Sequence, residues 1–522
     1  MRCKAVLLPW LTGPLLAALA GPIGCGSNQP PAATASTTGI TANVSTVASG
    51  VAPPAATAYL PFKIELVEVQ KSSLPALHSS SAASADGKWL ILGGRVVGLH
   101  GFGSSPTNFP RSSANTMAYV IDPAANTVLG SVDLVKALKP KLAGPLTATN
   151  QEFVQVGTSL YVVGGYGRDL QTGKNATIGS LVRVDVPGLI KAITTAAPIA
   201  SFFAQSPGLD NRLKVSGGAL KYASNVFYLV FGQDFAGDYS VQNRDYNRAG
   251  GQFQKYTEKI RAFTLNPDLS IKDFNLIDGG YDPNLPYHRR DLNVVDIIES
   301  DGITPGAMVY GGVFLAGQVG GHTSPIEVGF SSTPATVTAH VFSGFKQALN
   351  HYDCAHVTLF DQASSTCYTT LFGGISQYHY DSKTGTLVRD ALNLPVDGLP
   401  FIDTISTIGY GPNSAFSQYI QPTPLPGLIG TDAHFLADPD LESKGQVYPN
   451  GVIKLAGLTG KTLVGYMYGG IESAGSYSGL VTDKNPPTWA SSRLFQIYVT
   501  PERTAVIPMP PIPSGTTPYP PK

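Results

Sequence analysis

Few residues of this chain carry charge. Asp, Glu, Lys and Arg make up 13% of its 522 residues, with 35 basic against 35 acidic side chains. No overall positive field is therefore present to hold a polyanion, and nucleic acid is not expected as a partner. Such a composition also disfavours long solvated helices, whereas 57 Gly, 41 Pro, 24 Tyr and 22 Phe favour strands and turns. Cysteine is nearly missing: of four, Cys3 and Cys25 fall in an N-terminal leader, and Cys354 and Cys367 remain for the folded body. In an exported chain that pair is expected to form one disulfide. Also absent are a phosphate-cradling glycine loop followed by a helix, a serine-hydrolase elbow and a compact metal-ligand spacing. His351, Asp353 and His356 offer donors, as do Asp432 and His434, but strand residues 351 and 353 share a face that 356 does not. No metal and no cofactor is expected.

What is present begins with an export signal. Arg2 and Lys4 precede an apolar stretch, Ala5 to Ala20, that is broken by Pro9 and Pro14 and too short to span a bilayer comfortably. It runs into Pro22-Ile23-Gly24-Cys25-Gly26, which resembles the bacterial lipoprotein signal, with Pro22 where that signal usually has leucine. Residues 1–25 thus read as a signal peptide and Cys25 as its lipidation site. From Gly26 to Phe62 there is no charged residue, and Ala, Ser, Thr and Pro cannot bury enough apolar area to fold, so 26–61 is expected to be a disordered tether. The proline-rich tail, residues 506–522, is expected to be extended.

In the body, residues 62–505, an apolar strand ending in a glycine pair keeps returning. It occurs at Trp89 to Gly94, Leu160 to Gly165, Met308 to Gly312, Thr370 to Gly374 and Val464 to Gly470, and more weakly at Phe227 to Gly232, where Phe231 replaces the first glycine. Around the copies the order repeats: a strand, a tight turn, the Gly-Gly strand, a long loop, then a hairpin. Asp86-Gly87, Gly157-Thr158 and Thr459-Gly460 supply turns that tolerate positive φ. The hairpin is clearest where Met117 to Asp122 turns into Val128 to Val132 and Lys259 to Leu265 into Ile271 to Leu276. Helical patterns at Ser131 to Leu138, Pro187 to Thr194 and Phe342 to Leu349 ride on connections. Phe62 to Leu66 alternates with period two and is expected to pair with Arg493 to Thr500.

The glycine-pair strands resemble the second strand of the kelch family of β-propellers, over roughly residues 60 to 505. The family's later tryptophan is missing, since only Trp89 and Trp489 stand outside the leader. The resemblance implies an all-β fold, a kelch-type β-propeller of six blades closed by the N-terminal strand, with a seventh blade around Pro400 to Ile420 as the alternative. The family includes galactose oxidase-like copper-radical enzymes, which need a cysteine fused to a tyrosine; here the two remaining cysteines are assigned to each other.

In a blade running up, down, up, down, the loop after the Gly-Gly strand and the head of the innermost strand share one face. The loops supply Arg95, His100 and Arg168. The strand heads supply His78, Asn150 and Gln151, then His288, Arg289, Arg290 and Asp291, His351 with Asp353, and Asp432 with His434. These are the candidate ligand-binding residues, ringing the mouth of a central channel. Arg289 and Arg290 fit a carboxylate, sulfate or phosphate; alternatively they pair with Asp291 and neighbouring carboxylates and stitch blades together. Three functions are compatible with this pattern. One is a monomeric module, exported and lipid-anchored at the outer membrane or cell surface, that touches the membrane only through its N-terminal lipid. Its loop-rich face would bind a glycan, a small anionic ligand or an envelope protein. The second is an exported carbohydrate-active enzyme, an epimerase, lyase or oxidase, with its site at the channel mouth. The third is a structural component of an envelope assembly.

Overall fold

The computed structural model describes residues 57–70, 72–101, 109–239, 253–280, 282, 284–316, 320–389, 399–476 and 488–513. The leader, Cys25, most of the expected tether and the end of the tail lie outside the described residues. The fold is all-β, built from antiparallel sheets, and six four-stranded units follow one another along the chain. The first comprises Ser81–Ala85, Lys88–Leu92, Met117–Asp122 and Thr127–Asp133. The second comprises Thr149–Val156, Ser159–Arg168, Leu181–Asp185 and Phe203–Gln205. Ala219–Ala223, Val226–Val230, Lys259–Leu265 and Ile271–Asp278 make the third. Asn293–Ile298, Pro305–Tyr310, Ile326–Gly329 and Thr338–Val341 make the fourth. The fifth holds His356–Asp361, Thr366–Phe372, Ile405–Gly411 and Ala415–Ile420. The sixth holds His434–Ala437, Thr462–Tyr468 and Leu494–Thr500, and takes its fourth strand, Lys63–Glu68, from the other end of the chain. That strand meets the partner its alternation predicts, with Lys63 opposite Thr500 and Glu68 opposite Phe495.

A separate apolar layer lies between each unit and the next. Leu90 and Val120 meet Leu160 and Val184 between the first and second; Val163 meets Leu229, Val230 meets Val309, Met308 meets Leu371, and Leu359 meets Ile497 between those that follow. The last layer joins the sixth unit to the first: Trp89 is buried against Tyr466 and Tyr468, ring centroids 5.4 and 5.9 Å away.

The glycine pairs connect the same neighbours through the backbone. The N–H of Gly94 donates to the Ala148 carbonyl (2.8 Å), Gly165 to Val215 (2.8 Å), Gly232 to Arg289 (3.0 Å), Gly374 to Ile429 (3.4 Å) and Gly470 to Leu77 (2.8 Å). The first glycine of a pair has no room for a side chain. A Cβ on Gly164 would lie 2.1 Å from the Val215 carbonyl oxygen and one on Gly373 2.2 Å from that of Ile429, at φ of +66° and +65°. Phe231, standing in a first-glycine position, holds φ +54° and is buried against Tyr287.

Several expectations are corrected. Residues 405–420, the candidate for a seventh unit, are the outer two strands of the fifth sheet. Ala58–Leu60, at the end of the expected tether, pairs with Thr504–Pro508, which crosses from the expected body into the expected tail, and the latter strand joins the edge of the fifth sheet at Tyr419 and Ile420. Phe342 to Leu349 forms no helix; Phe342 and Phe345 turn onto Phe416, at 4.9 and 4.8 Å, instead of following a helical stripe. Ser131 to Leu138 divides: the edge strand runs to Asp133, whose carboxylate then caps the short helix Leu134–Ala137. Val186–Thr194 is a helix as its pattern predicts. The disulfide does not form: Cys354 and Cys367 are free and buried. The strand register places Cys367 opposite Phe360, while Cys354 lies ahead of the strand, bridging to Thr431. A disulfide needs Cα atoms within about 7 Å, which this register forbids.

Candidate functional site

The residue after each glycine pair faces the residue at the head of the same unit's first strand in a recurring antiparallel pairing. Arg95 pairs with His78, Tyr166 with Thr149, Gln233 with Ser216, Val313 with Arg290, Ile375 with Tyr352 and Ile471 with Thr431. Directly opposed residues put their side chains on one face. Nine of these twelve side chains, with Leu99, His100, Phe109, Phe235, Tyr239, Ser79, Asn150, Asp291 and Asp432, line a cavity of about 60 Å³.

One position further on, all six units adopt positive φ: Ser79 (+51°), Asn150 (+49°), Gly217 (+69°), Asp291 (+49°), Asp353 (+26°) and Asp432 (+53°). Gly, Asn and Asp are the residues that tolerate this conformation. Their backbones bond in succession: Asn150 N–H to Ser79 O (3.1 Å), Gly217 to Asn150 (3.2 Å), Asp291 to Gly217 (2.6 Å) and Asp432 to Asp353 (2.7 Å). Below this row a larger cavity, about 420 Å³, is lined by the first strands of the units, and Ser79, Asn150 and Asp432 border both spaces.

Arg95 is the least satisfied group of the upper cavity. Its guanidinium lies 3.7 Å over the Phe109 ring, and its Nε and Nη1 are buried with no hydrogen-bond partner among the described residues. Burial lowers its pKa to about 10, with Tyr166, Asp432 and Tyr239 opposing, so it stays cationic at neutral pH. Arg290 lines the same cavity and is better held: Nε donates to Asp291 Oδ2 (3.1 Å), and Nη1 to Gln233 Oε1 (3.1 Å) and the Tyr256 hydroxyl (2.6 Å). Asp291 also accepts from the Tyr352 hydroxyl (3.0 Å); burial raises its pKa to about 6 against the pull of Arg290. His100 is packed between Tyr239 and Phe109 and is driven down to about 3 by burial and by the charges of Arg95 and Arg290. It is a neutral wall.

His78 and Asp432 form the other side. Ser79 Oγ donates to Asp432 Oδ2 (2.6 Å), and His78 Nδ1 lies 2.8 Å from Ser79 Oγ and 3.2 Å from Asp432 Oδ2. Because the Ser79 proton points at Asp432, the serine oxygen and the carboxylate are both acceptors, so Nδ1 carries the imidazole proton. The lone pair is then on Nε2, which is buried and has no hydrogen-bond partner among the described residues. A serine protease triad needs serine on the nitrogen opposite to aspartate; here both meet Nδ1, and Ser79 is no activated nucleophile. Burial would raise Asp432, but hydrogen bonds from His78, Asp353 and Ser79 hold it below its ordinary value, whereas burial and the Asp432 charge push Asp353 well up. Asp353 is the protonated member of the pair.

The remaining candidates lie elsewhere. Arg289 is fully buried and donates to the carbonyls of Pro286 (2.6 Å), Gly311 (2.9 Å) and Ser324 (3.3 Å), away from the cavity. His288 bonds Glu258 (2.5 Å) and stacks on Tyr256. His351 is locked between the Gly373 carbonyl and Ser406, each at 2.6 Å. His434 faces the lower cavity and bonds Ser80 Oγ (2.8 Å). Arg168 is exposed. No group of three His, Cys, Asp or Glu able to hold a metal occurs among the described residues, nor does a helix there have the length and apolarity to cross a membrane. Phe109, Tyr166, Gln233, Tyr239 and Tyr352 were missed by sequence reasoning; each lies near a glycine pair or strand head, but no local pattern sets it apart.

No family model and no curated protein matches the chain. Among solved structures, that of YjhT aligns with a TM-score of 0.43 and 12% identity over 81% of this chain and 99% of its own.

Proposed function

We propose that the six units are the blades of one closed kelch-type propeller, and that this body is an exported, envelope-anchored module binding a small anionic ligand, foremost a sugar acid, in the upper cavity. Closure is supported by the Trp89 layer between the sixth and first units and by the Gly470 to Leu77 bond. Export and the lipid at Cys25 rest on the leader sequence.

The observation that carries the ligand reading is Arg95. A buried donor left unpaired costs about 1–3 kcal/mol, more when charged, and two of Arg95's donors have no partner among the described residues. An anion in the cavity would accept from both, with Arg290 as a second cation on the wall. Phe109, Tyr166 and Tyr239 add flat apolar faces of the kind that pack against a sugar ring.

Calorimetric titration with galacturonate and glucuronate, against galactose and glucose, tests this reading. The uronates should bind and the neutral sugars should bind at least about tenfold more weakly. Arg95→Ala should cost about tenfold or more in uronate affinity, roughly 1.4 kcal/mol. Equal affinity for acids and neutral sugars, or an unchanged affinity in Arg95→Ala, would overturn it.

A further inference from the structure

His78 and Arg95 are directly opposed across an antiparallel bridge, bonded by His78 N–H to Arg95 O (3.2 Å) and Arg95 N–H to His78 O (3.0 Å). Their side chains therefore emerge side by side into the same cavity. Among the described residues, Arg95 offers donors with no acceptor and His78 a lone pair with no donor. A site built only to hold an anion would gain nothing from a buried basic nitrogen with no donor, since an unsatisfied polar atom is costly. The Nδ1 side is moreover fixed by two partners, Asp432 and Ser79, which is the orientation a general base requires.

We infer that His78 is a catalytic general base, with Asp432 as its positioning residue, acting on a carboxylate ligand whose acidic hydrogen lies on the carbon next to the carboxylate. The inference rests on the anionic-ligand reading above. In the step, the C–H bond breaks and its proton bonds to Nε2. The electron pair moves into the bond to the carboxyl carbon, giving an enediolate whose added charge faces Arg95 and Arg290. The imidazolium is balanced by Asp432. Return of a proton to the same carbon restores the ligand, or its epimer if delivered from the other face. No oxidant, metal or co-substrate enters the balance.

The test is solvent isotope exchange. Full-chain protein is incubated in D2O with galacturonate or glucuronate, and loss of the C5 hydrogen is followed by proton NMR beside calorimetric binding. His78→Asn is the chosen variant, because its amide N–H can reproduce the Nδ1 bonds while leaving no base at Nε2. Wild type should exchange; His78→Asn should bind uronate nearly as wild type does but exchange about 100-fold or more slowly. Asp432→Asn should lower the exchange rate at saturating uronate while altering binding little, a split that misfolding would not produce. Uronate binding without exchange in wild type, or exchange that persists in His78→Asn, overturns the inference and leaves the binding reading standing. Absence of uronate binding in wild type overturns both.

Discussion

Two adjacent arginines illustrate how differently one side-chain type is used within a single strand head. Arg289 gives its donors to three backbone carbonyls of the fourth unit and its approach, and burial lowers its pKa to about 9. Arg290 faces the cavity. Arg289→Ala strands buried carbonyls as well as leaving a void, so it should cost about 3–5 kcal/mol and lower the melting temperature sharply. Arg290→Ala should weaken uronate binding with a much smaller thermal shift. Melting curves and calorimetry on the two variants separate these outcomes; equal thermal losses would mean that Arg290 too is chiefly structural.

Glu152, buried on the lower cavity, accepts from the Gly218 N–H (2.9 Å), and its other oxygen has no hydrogen-bond partner among the described residues. Burial raises its pKa to about 8, against Gly218 and the charge of Arg261, so the folded chain holds it neutral. A carboxyl raised in the folded state contributes full stability below its unfolded pKa, and that contribution falls as pH rises toward the folded value. Glu152→Gln keeps the acceptor for Gly218 without the ionisation. Between pH 5 and 9 wild type should lose stability relative to this variant by on the order of 3 kcal/mol, read as a widening gap in denaturant midpoints. Parallel pH profiles would show that Glu152 ionises freely.

At the scale of the element, what could be read from sequence was what is local. Asp86 and Gly87 take φ of +51° and +70°, as a two-residue hairpin turn requires, and join the strands their alternation marks. The hairpins at 117–133 and 259–278 carry the same signal. The candidate site was half legible. Arg290, Asp291 and Asp432 were recognisable as charges at strand heads, yet His288 and His351, in the same stretches, face other walls. A step of one residue at a strand head reverses the side-chain direction, and nothing in composition marks which step is taken. The row Asn150, Gly217, Asp291, Asp353 and Asp432 has a plainer signature in retrospect: these are residue types suited to positive φ, so one backbone demand also gathers three carboxylates together. The cysteine pair failed for a related reason. Proximity in sequence suggested a bond, but the register of 356–361 on 366–372 keeps the thiols apart.

At the scale of the whole molecule, stability depends on how the last unit is completed. Its fourth strand comes from the N-terminal end, and Phe62, just before it, is buried with Leu60 in the layer shared with the fifth unit. Without that strand, Leu494–Thr500 would be an open edge with unpaired backbone groups. Phe62→Ala removes a fully buried ring and should cost about 3–5 kcal/mol. In the closed ring proposed above that loss cannot stay local, because the sixth unit also packs on the first through Trp89, Tyr466 and Tyr468. Trp89 is buried whereas Trp489 is 45% exposed, so in a background carrying Trp10→Phe and Trp489→Phe indole emission reports the junction between the last unit and the first. Thermal unfolding of Phe62→Ala followed by that emission and by far-ultraviolet dichroism should give one coincident transition at lowered temperature. If dichroism shifted while Trp89 emission kept its wild-type midpoint, the N-terminal strand would be a local ornament on the fifth and sixth units, and the ring would not unfold as one body.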